Sequence, residues 1–192
     1  WKKGQCVLHG AAVNDGVFAT VISGDSGAGK TTLAIELVRR GLKLLSDDLL
    51  VVDTNRKIVF PFKTKIGMPK NPVARREELA YKGKSLINRK RLMRLEEIVA
   101  GDNWGGPSKL KSFFFIRKDN KKRVFPVINK IKNSDAFKRL FDVFMFYPYK
   151  RKLKEHICWV TPQLARLVGG VDFYDLLRGD IKETADCVGS IL

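Results

Sequence analysis

The sequence predicts a mixed α/β fold built as a single domain, residues 1–192, with a mixed sheet and flanking helices. Short runs rich in β-branched and aromatic residues alternate with segments of helical apolar spacing, which is typical of α/β domains. Near the N-terminus, a glycine-rich stretch joins one such strand to an amphipathic helix. With 192 residues, 44% of them apolar, the chain is long enough to bury a substantial core.

The first sixty residues predict a pair of strands, a helix, a short single strand and a second pair of strands. Residues 6–12 and 17–22 flank the turn sequence Asn14-Asp15-Gly16, so we expect strand, turn and strand. Residues 32–40 have helical apolar spacing, and Gly41 follows as a stop signal. Residues 42–45 are a short strand candidate, and residues 49–52 and 58–60 form a second predicted hairpin.

The remainder alternates in the same way. Residues 73–99 predict mostly charged helix, and residues 113–116 a strand whose expected partner is 123–128, across Asp119-Asn120. A helix is predicted over 134–147 with Ser134 as its N-cap. Thr161-Pro162 is expected to open another helix, followed by a strand over 171–177 and a closing helix over 181–192.

The glycine-rich stretch, residues 24–31, reads GDSGAGKT and matches G-x-x-x-x-G-K-[ST] at every fixed position. Glycines let the backbone fold tightly and aim its N–H groups at phosphate oxygens, and the following helix N-terminus adds partial positive charge. Lys30 would reach the β- and γ-phosphates, and the Thr31 hydroxyl would ligate Mg²⁺. The expected nucleotide-binding residues are Gly24, Asp25, Ser26, Gly27, Ala28, Gly29, Lys30, Thr31 and Thr32.

Two adjacent carboxylates, Asp47 and Asp48, follow the strand predicted after this helix. Such a pair could divide the work, one binding metal and the other acting as a base toward an acceptor hydroxyl. Ser46-Asp47-Asp48 is equally good turn sequence, so on these residues alone both interpretations stay open.

Charge and composition narrow the classes of partner. The net charge of +17 favours acidic or phosphorylated partners. Residues 109–132 contain nine basic residues and one acid, and we expect Lys109 and Lys111 to point toward the phosphates or a peptide. No RNA-binding signature accompanies them, so nucleic acid is not the expected partner.

The cellular location is predicted from the lengths of the apolar runs and from the spacing of the cysteines. No apolar run approaches the ~20 residues of a membrane span. The three cysteines, Cys6, Cys158 and Cys187, have no paired spacing, which predicts a protein of the reducing cytoplasm.

The segment 9–48 resembles the core of HPr kinase/phosphorylase, a nucleotide-binding core that also occurs in phosphoenolpyruvate carboxykinases. The separations of His9, the glycine-rich loop and the acid pair agree with that family's pattern. The matching residues are His9, Gly10, Gly16, Val17, Gly24, Ser26, Gly27, Gly29, Lys30, Ala34, Glu36, Leu37, Arg40, Gly41, Leu45, Asp47 and Asp48.

The resemblance implies a role for each polar residue of this segment. Asp47 would be the general base for the acceptor hydroxyl, and Asp48 would bind Mg²⁺ alongside Thr31. His9 would lie near Asp47 and tune or orient it. Lys30 would complete the catalytic set. The implied fold is the single P-loop domain of the HPr kinase and phosphoenolpyruvate carboxykinase type.

The sequence departs from HPr kinase/phosphorylase after Phe60, where no Glu-containing E-x-R-G stretch follows and residues 61–66 read PFKTKI. We also expect none of that enzyme's N-terminal regulatory domain. The better resemblance is to stand-alone HPr-kinase-like proteins, some of which phosphorylate serine on ribosomally made precursor peptides such as those of lasso peptides.

The predicted function is therefore an ATP- and Mg²⁺-dependent kinase acting on a serine of a peptide or protein. The alternative is a P-loop ATPase or nucleotide-sensing module whose basic surface docks a partner. Asp47 discriminates between them, because a kinase needs a base there and a binding module does not. The oligomeric state is left open.

Overall fold

The computed structural model of the chain describes residues 4–69, 90–118, 123–144 and 153–192. The strands are β1 (Gln5–His9), β2 (Ala11–Asn14), β3 (Phe18–Ser23), β4 (Lys43–Ser46), β5 (Leu49–Asp53), β6 (Ile58–Phe60), β7 (Ile66–Pro69), β8 (Lys90–Met93), β9 (Ser108–Lys118), β10 (Val127–Lys130) and β11 (Asp172–Arg178). The helices are α1 (Lys30–Arg39), α2 (Asn133–Val143), α3 (Leu153–Val168) and α4 (Ile181–Gly189), and a 3₁₀ turn spans Leu95–Glu97.

Nine of these strands form one mixed sheet. Its main path runs β1-β5-β6-β9-β3-β2-β4, and β11 joins β9 and carries β10 on its other side. The pairs β3–β9 and β9–β11 are parallel, whereas the other pairs in this sheet are antiparallel. Strands β7 and β8 form a separate antiparallel pair. The predicted fold class, a mixed sheet with flanking helices, is confirmed.

Helices cover both faces of the sheet. One apolar cluster contains residues of α2 and α3, and the other contains residues of α1 and α4. The central strand β9 contributes to both, with Phe113 and Phe115 in the first and Phe114 in the second. All three rings are buried, because side chains of a strand alternate between two covered faces. The run of phenylalanines is thus core on both sides.

The N-terminal strands are arranged differently from the expected single hairpin. The turn at Asn14-Asp15-Gly16 joins β2 to β3, as predicted, but β1 is a separate strand that pairs with β5. The break falls at Gly10, where a Cβ would lie 2.8 Å from the carbonyl oxygen of Ile22. The predicted hairpin of β5 and β6 is confirmed.

Three predictions for the C-terminal half are wrong. Residues 127–130 pair with β11 and not with β9, because β11 and β3 occupy the two sides of β9 there. Pro162 lies inside α3 and does not open a helix. It removes only one N–H from the helix, while Val160 and Leu164 stay fully buried and hold α3 on the sheet. The residue before α2 is Lys132, so Ser134 is not its N-cap.

The predicted helix over 73–99 falls largely outside the described residues. Where it is described, the chain forms β8 and the 3₁₀ turn, not an α-helix. The turn at Asp119-Asn120 and the end of the helix predicted over 134–147 also lie outside the described residues. In the parts of the chain that are described, no helix is both long and apolar enough to cross a bilayer.

Candidate functional site

The glycine-rich loop, residues 24–29, connects the end of β3 to the start of α1. Its backbone has positive φ at Gly24, Gly27 and Gly29. At Gly24 the neighbouring strand also leaves no room, since a Cβ would lie 2.1 Å from the carbonyl oxygen of Ile116 in β9. Glycine is therefore required there by conformation and by packing.

Lys30 is the first residue of α1 and reaches back across the loop. Its side chain is buried, and Nζ donates to the carbonyl oxygens of Gly24, at 2.7 Å, and Asp25, at 3.0 Å. The ammonium group thus lies at the mouth of a loop whose glycines and helix N-terminus suit a phosphate.

Thr31 and Asp47 form the buried polar centre of the site. Asp47 follows β4, which carries it toward the start of α1. The Thr31 hydroxyl donates to the Asp47 carboxylate, at 2.9 Å from Oδ1 and 3.2 Å from Oδ2. Both residues are at least nine-tenths buried. Two oxygen groups suited to a hard cation therefore lie side by side beneath the loop.

Asp48 has a different environment from its neighbour. It is exposed and adopts a left-handed backbone conformation with φ of 68°, an uncommon state for a residue other than glycine. Its carbonyl oxygen lies 2.9 Å from Nδ1 of His9. Because a carbonyl can only accept, His9 carries a proton on Nδ1.

His9 is also linked to the glycine-rich loop through its backbone. The hydroxyl of Ser23, the last residue of β3, donates to the His9 carbonyl oxygen. The end of β1, the start of the loop and the acid pair are consequently joined by short polar contacts. His9 is therefore close in space to the loop and to the acid pair, although it is distant from both in the sequence.

The other residues predicted for the loop have mixed exposure. Asp25 and Ser26 are exposed, Ala28 is buried and Thr32 is partly buried. Side chains that point outward from such a loop leave the backbone N–H groups to meet an anion, as the motif requires.

The expectation that Lys109 and Lys111 point toward the phosphates is wrong, and the expectation of a peptide contact stays a prediction. Lys109 pairs with Phe18 at the start of β3, whereas the loop begins after Ser23 at its end. Five residues of strand separate the two ends by about 17 Å. The Lys111 ammonium lies over the Phe18 ring and donates to the carbonyl oxygen of Leu192. Both lysines belong to the opposite edge of the sheet, since β9 runs parallel to β3.

Arg178, the last residue of β11, is a cation at this loop that the motif does not include. A Cβ on Gly29 would lie 2.2 Å from Nη1 of Arg178, so the guanidinium rests directly on the loop backbone. The sequence held one signal for it, a strand predicted over 171–177 and followed directly by Arg178. Only the parallel pairing of β3, β9 and β11 brings that end to the loop.

On the other face of the same strand, Asp175 binds two arginines. Arg117 and Arg139 both donate to its carboxylate, and Arg139 also lies over the Phe115 ring. Partial burial alone would raise the pKa of Asp175, but the hydrogen bonds from Arg117 and Arg139 outweigh burial and lower it. This cluster, two arginines on one carboxylate, is a structural contact between β11, β9 and α2.

The donor set suits magnesium held jointly by protein and phosphate. The described residues contain no group of three or more His, Cys, Asp or Glu side chains that would hold a metal ion alone. Mg²⁺ usually takes one or two carboxylates and completes its shell with phosphate oxygens and water. The Thr31 hydroxyl beside the Asp47 carboxylate fits that requirement.

Comparison with known proteins identifies similar proteins for part of the chain. An HPr kinase/phosphorylase of Limosilactobacillus reuteri (strain DSM 20016) is 49% identical over 45 residues, which is 23% of this chain and 14% of that relative's length. An HPr kinase/phosphorylase of Treponema pallidum (strain Nichols) is 47% identical over 45 residues, again 23% of this chain and 14% of the relative. This chain resembles HPr kinases. The resemblance inferred from residues 9–48 is thereby confirmed, and it covers a small part of those relatives.

The chain was also compared with solved structures and with models of protein families. The solved structure of the Hpr(Ser) kinase/phosphatase from Coxiella burnetii aligns over 96% of both chains, with 14% sequence identity and a TM-score of 0.45. No family model matches the chain.

Proposed function

We propose that residues 1–192 form one kinase domain that transfers the γ-phosphoryl group of ATP to a serine hydroxyl of a peptide or protein. The observation that carries the proposal is the contact of Thr31 with Asp47 beneath a complete P-loop closed by Lys30. The similarity to proteins named HPr kinase/phosphorylase supports it. The reducing cytoplasm stays the proposed location.

Each residue of the site has a task in that reaction. The loop backbone and Lys30 bind and orient the phosphate chain, with Lys30 exchanging its carbonyl partners for phosphate oxygens. Thr31 would hold Mg²⁺, which when bound neutralises charge on the β- and γ-phosphates. The protein thus supplies mainly positioning and electrostatic stabilisation, as a loose phosphoryl transition state requires.

The division of labour between the two acids follows from their surroundings. Asp47 contacts the Thr31 hydroxyl and is buried, which favours it as the carboxylate on the metal side. Asp48 is exposed, where an acceptor hydroxyl arriving from solvent would meet it, which favours it as the base. These roles are exchanged relative to those that the family resemblance implies.

His9 acts in this scheme as a positioning residue. Its Nδ1–H holds the carbonyl oxygen of Asp48, whose backbone is in an uncommon conformation. Fixing that peptide group orients the Asp48 side chain toward one direction.

The proposal is tested by following γ-labelled ATP. The protein is incubated with Mg²⁺ and with HPr, a serine-containing peptide library or no acceptor, and labelled serine is identified by mass spectrometry. Acceptor-dependent label that is lost in Lys30→Ala supports the kinase. Release of phosphate without labelled acceptor indicates an ATPase, and nucleotide binding without turnover indicates a sensing module; either result overturns the proposal.

A further inference from the structure

Arg178 lies against the P-loop and has no place in the Walker motif or in the resemblance. We propose that its guanidinium binds the phosphate chain of the nucleotide, beside Lys30. This inference rests on the proposed function insofar as it requires the loop to bind a nucleoside polyphosphate.

The sheet topology fixes the position of Arg178. Strands β3, β9 and β11 run parallel, with Ser23 opposite Phe115 and Leu176 opposite Ile116. The carboxyl ends of parallel strands meet at one edge, which is where α/β sheets bind ligands. Arg178 lies two residues beyond Leu176, so its side chain is on the same face as the helix α1 that follows the loop.

The contact with the loop is close and specific to glycine. A Cβ on Gly29 would lie 2.2 Å from Nη1 and 3.3 Å from both Cδ and Cζ of Arg178. Gly29 has φ of 105° and is the residue immediately before Lys30. The absence of a side chain there therefore serves the arginine as well as the loop conformation.

The electrostatics of this position call for an anion. Arg178 lies against Gly29, the residue that precedes Lys30 at the positive N-terminal end of α1. Arg117 and Arg139, at the same end of the sheet, share Asp175, whereas Arg178 has no ion pair with a carboxylate within the described residues. A planar guanidinium at a helix N-terminus, on the same loop that Lys30 binds, matches the oxygens of a polyphosphate.

The decisive experiment measures binding by the whole chain to ATP and to inorganic pyrophosphate, which has phosphates but no base. Arg178→Gln is expected to weaken both by about 10- to 100-fold, the range for loss of a charge-assisted hydrogen bond. Arg178→Lys should recover part of this loss, because it restores the charge but not the planar fork. Unchanged pyrophosphate binding in Arg178→Gln would overturn the proposal.

Two controls separate a ligand contact from other roles. Arg117→Gln makes the same charge change at the end of the adjacent strand, where Asp175 already pairs with the arginine, and should alter neither affinity more than about 2-fold. An equal loss in Arg117→Gln would indicate a general field and contradict the assignment. Without ligand, Arg178→Gln should melt no lower than the wild type, since the described residues give Arg178 no ion pair with a carboxylate to lose. A large fall in that melting temperature would instead assign Arg178 a structural role.

The result is distinguishable from failure of the proposed function. If the wild-type chain transfers no phosphate but binds pyrophosphate in an Arg178-dependent manner, the kinase fails and the arginine assignment stands. If transfer occurs and Arg178→Gln binds normally, the kinase stands and the arginine assignment fails.

Discussion

Cations lie at both ends of the parallel strands, which we call the carboxyl edge and the amino edge of the sheet, but their surroundings differ. At the carboxyl edge of β3 and β11, Lys30 contacts the Gly24 carbonyl and Arg178 lies against Gly29, both on the loop near the buried Thr31–Asp47 contact. At the amino edge of β3, the Lys111 ammonium lies over an aromatic ring and on a backbone carbonyl.

The carboxylate at the amino edge has local partners. Partial burial would raise the pKa of Asp15, but N–H groups of Phe18 and Val17 that donate to its carboxylate lower it. That carboxylate therefore stabilises the turn between β2 and β3. The contrast between the edges shows that strand direction, and not the count of basic residues, decides which cations reach the glycine-rich loop.

Lys30→Ala should cause the largest loss of ATP binding and transfer among these variants. Its ammonium is the cation built into the loop, so we expect ATP binding to weaken at least ~100-fold and transfer to fall below detection. Isothermal titration and the labelled-ATP assay measure the two effects. Lys109→Ala, at the other edge, is the matched control. Equal losses in both variants would mean that the carboxyl edge is not the phosphate site.

The second prediction separates Asp47 from Asp48. Asp48→Asn keeps the shape but removes the proposed base, so transfer should fall by roughly 10²- to 10⁴-fold while Mg²⁺·ATP binding is retained. Asp47→Asn should instead raise the Mg²⁺ concentration required for half-maximal activity. Initial rates measured over a magnesium series distinguish these effects. The opposite pattern would restore the roles implied by the resemblance, and full activity in both variants would end the kinase mechanism.

The sequence alone predicted the loop well, because its residues are consecutive and their spacing is set by one backbone conformation. Lys30 and Thr31 follow the loop directly, and the acid pair follows the next strand. Arg178 could not be found in this way, since it lies 149 residues after Gly29 and reaches it only through two parallel strand pairings.

The same limitation explains the errors made elsewhere. Lys109 precedes the strand predicted over 113–116 and lies within the longer strand β9, but the sequence pattern does not state which end of that strand meets the loop. The local preference of Pro162 predicts a helix start, whereas α3 continues through it because Val160 and Leu164 are buried against the sheet. Local sequence patterns predict individual helices and strands, but the pairing of the strands determines which residues lie at the loop.

The third prediction concerns stability. The hydrogen bonds from Arg117 and Arg139 lower the pKa of Asp175 below its ordinary value of 3.8. The stabilisation is therefore complete above pH 3.8 and is lost as the pH falls through the lowered value. Asp175→Asn should cost about 1–2 kcal/mol at neutral pH, with the difference from wild type closing in acid. Thermal melts across pH measure it.

Asp172→Asn is the matched control for that series. Asp172 lies on the same strand and pairs with Lys130, but both side chains are substantially exposed. Its loss should lower the melting temperature less than the loss of Asp175 does. A larger effect for Asp172, or a difference for Asp175 that persists in strong acid, would show that the arginine pair does not supply the stabilisation.

The smallest effect is predicted for the two ends of one strand. Lys109→Glu and Lys118→Glu reverse one exposed charge each, at the start and at the end of β9. Lys118 lies opposite Arg178 in the register, so its reversal should raise the KM for an acidic serine peptide by about 3- to 10-fold at low salt. Lys109 lies about 17 Å from the loop, which is roughly two Debye lengths at physiological ionic strength. Its reversal should therefore leave that KM within about 2-fold of wild type once salt is present. Peptide kinetics at two salt concentrations make the measurement. A rise in KM for Lys109→Glu that persists in salt would mean that the peptide extends along β9 and contacts residue 109 directly, because salt screens the interaction of this charge with a peptide bound only at the loop.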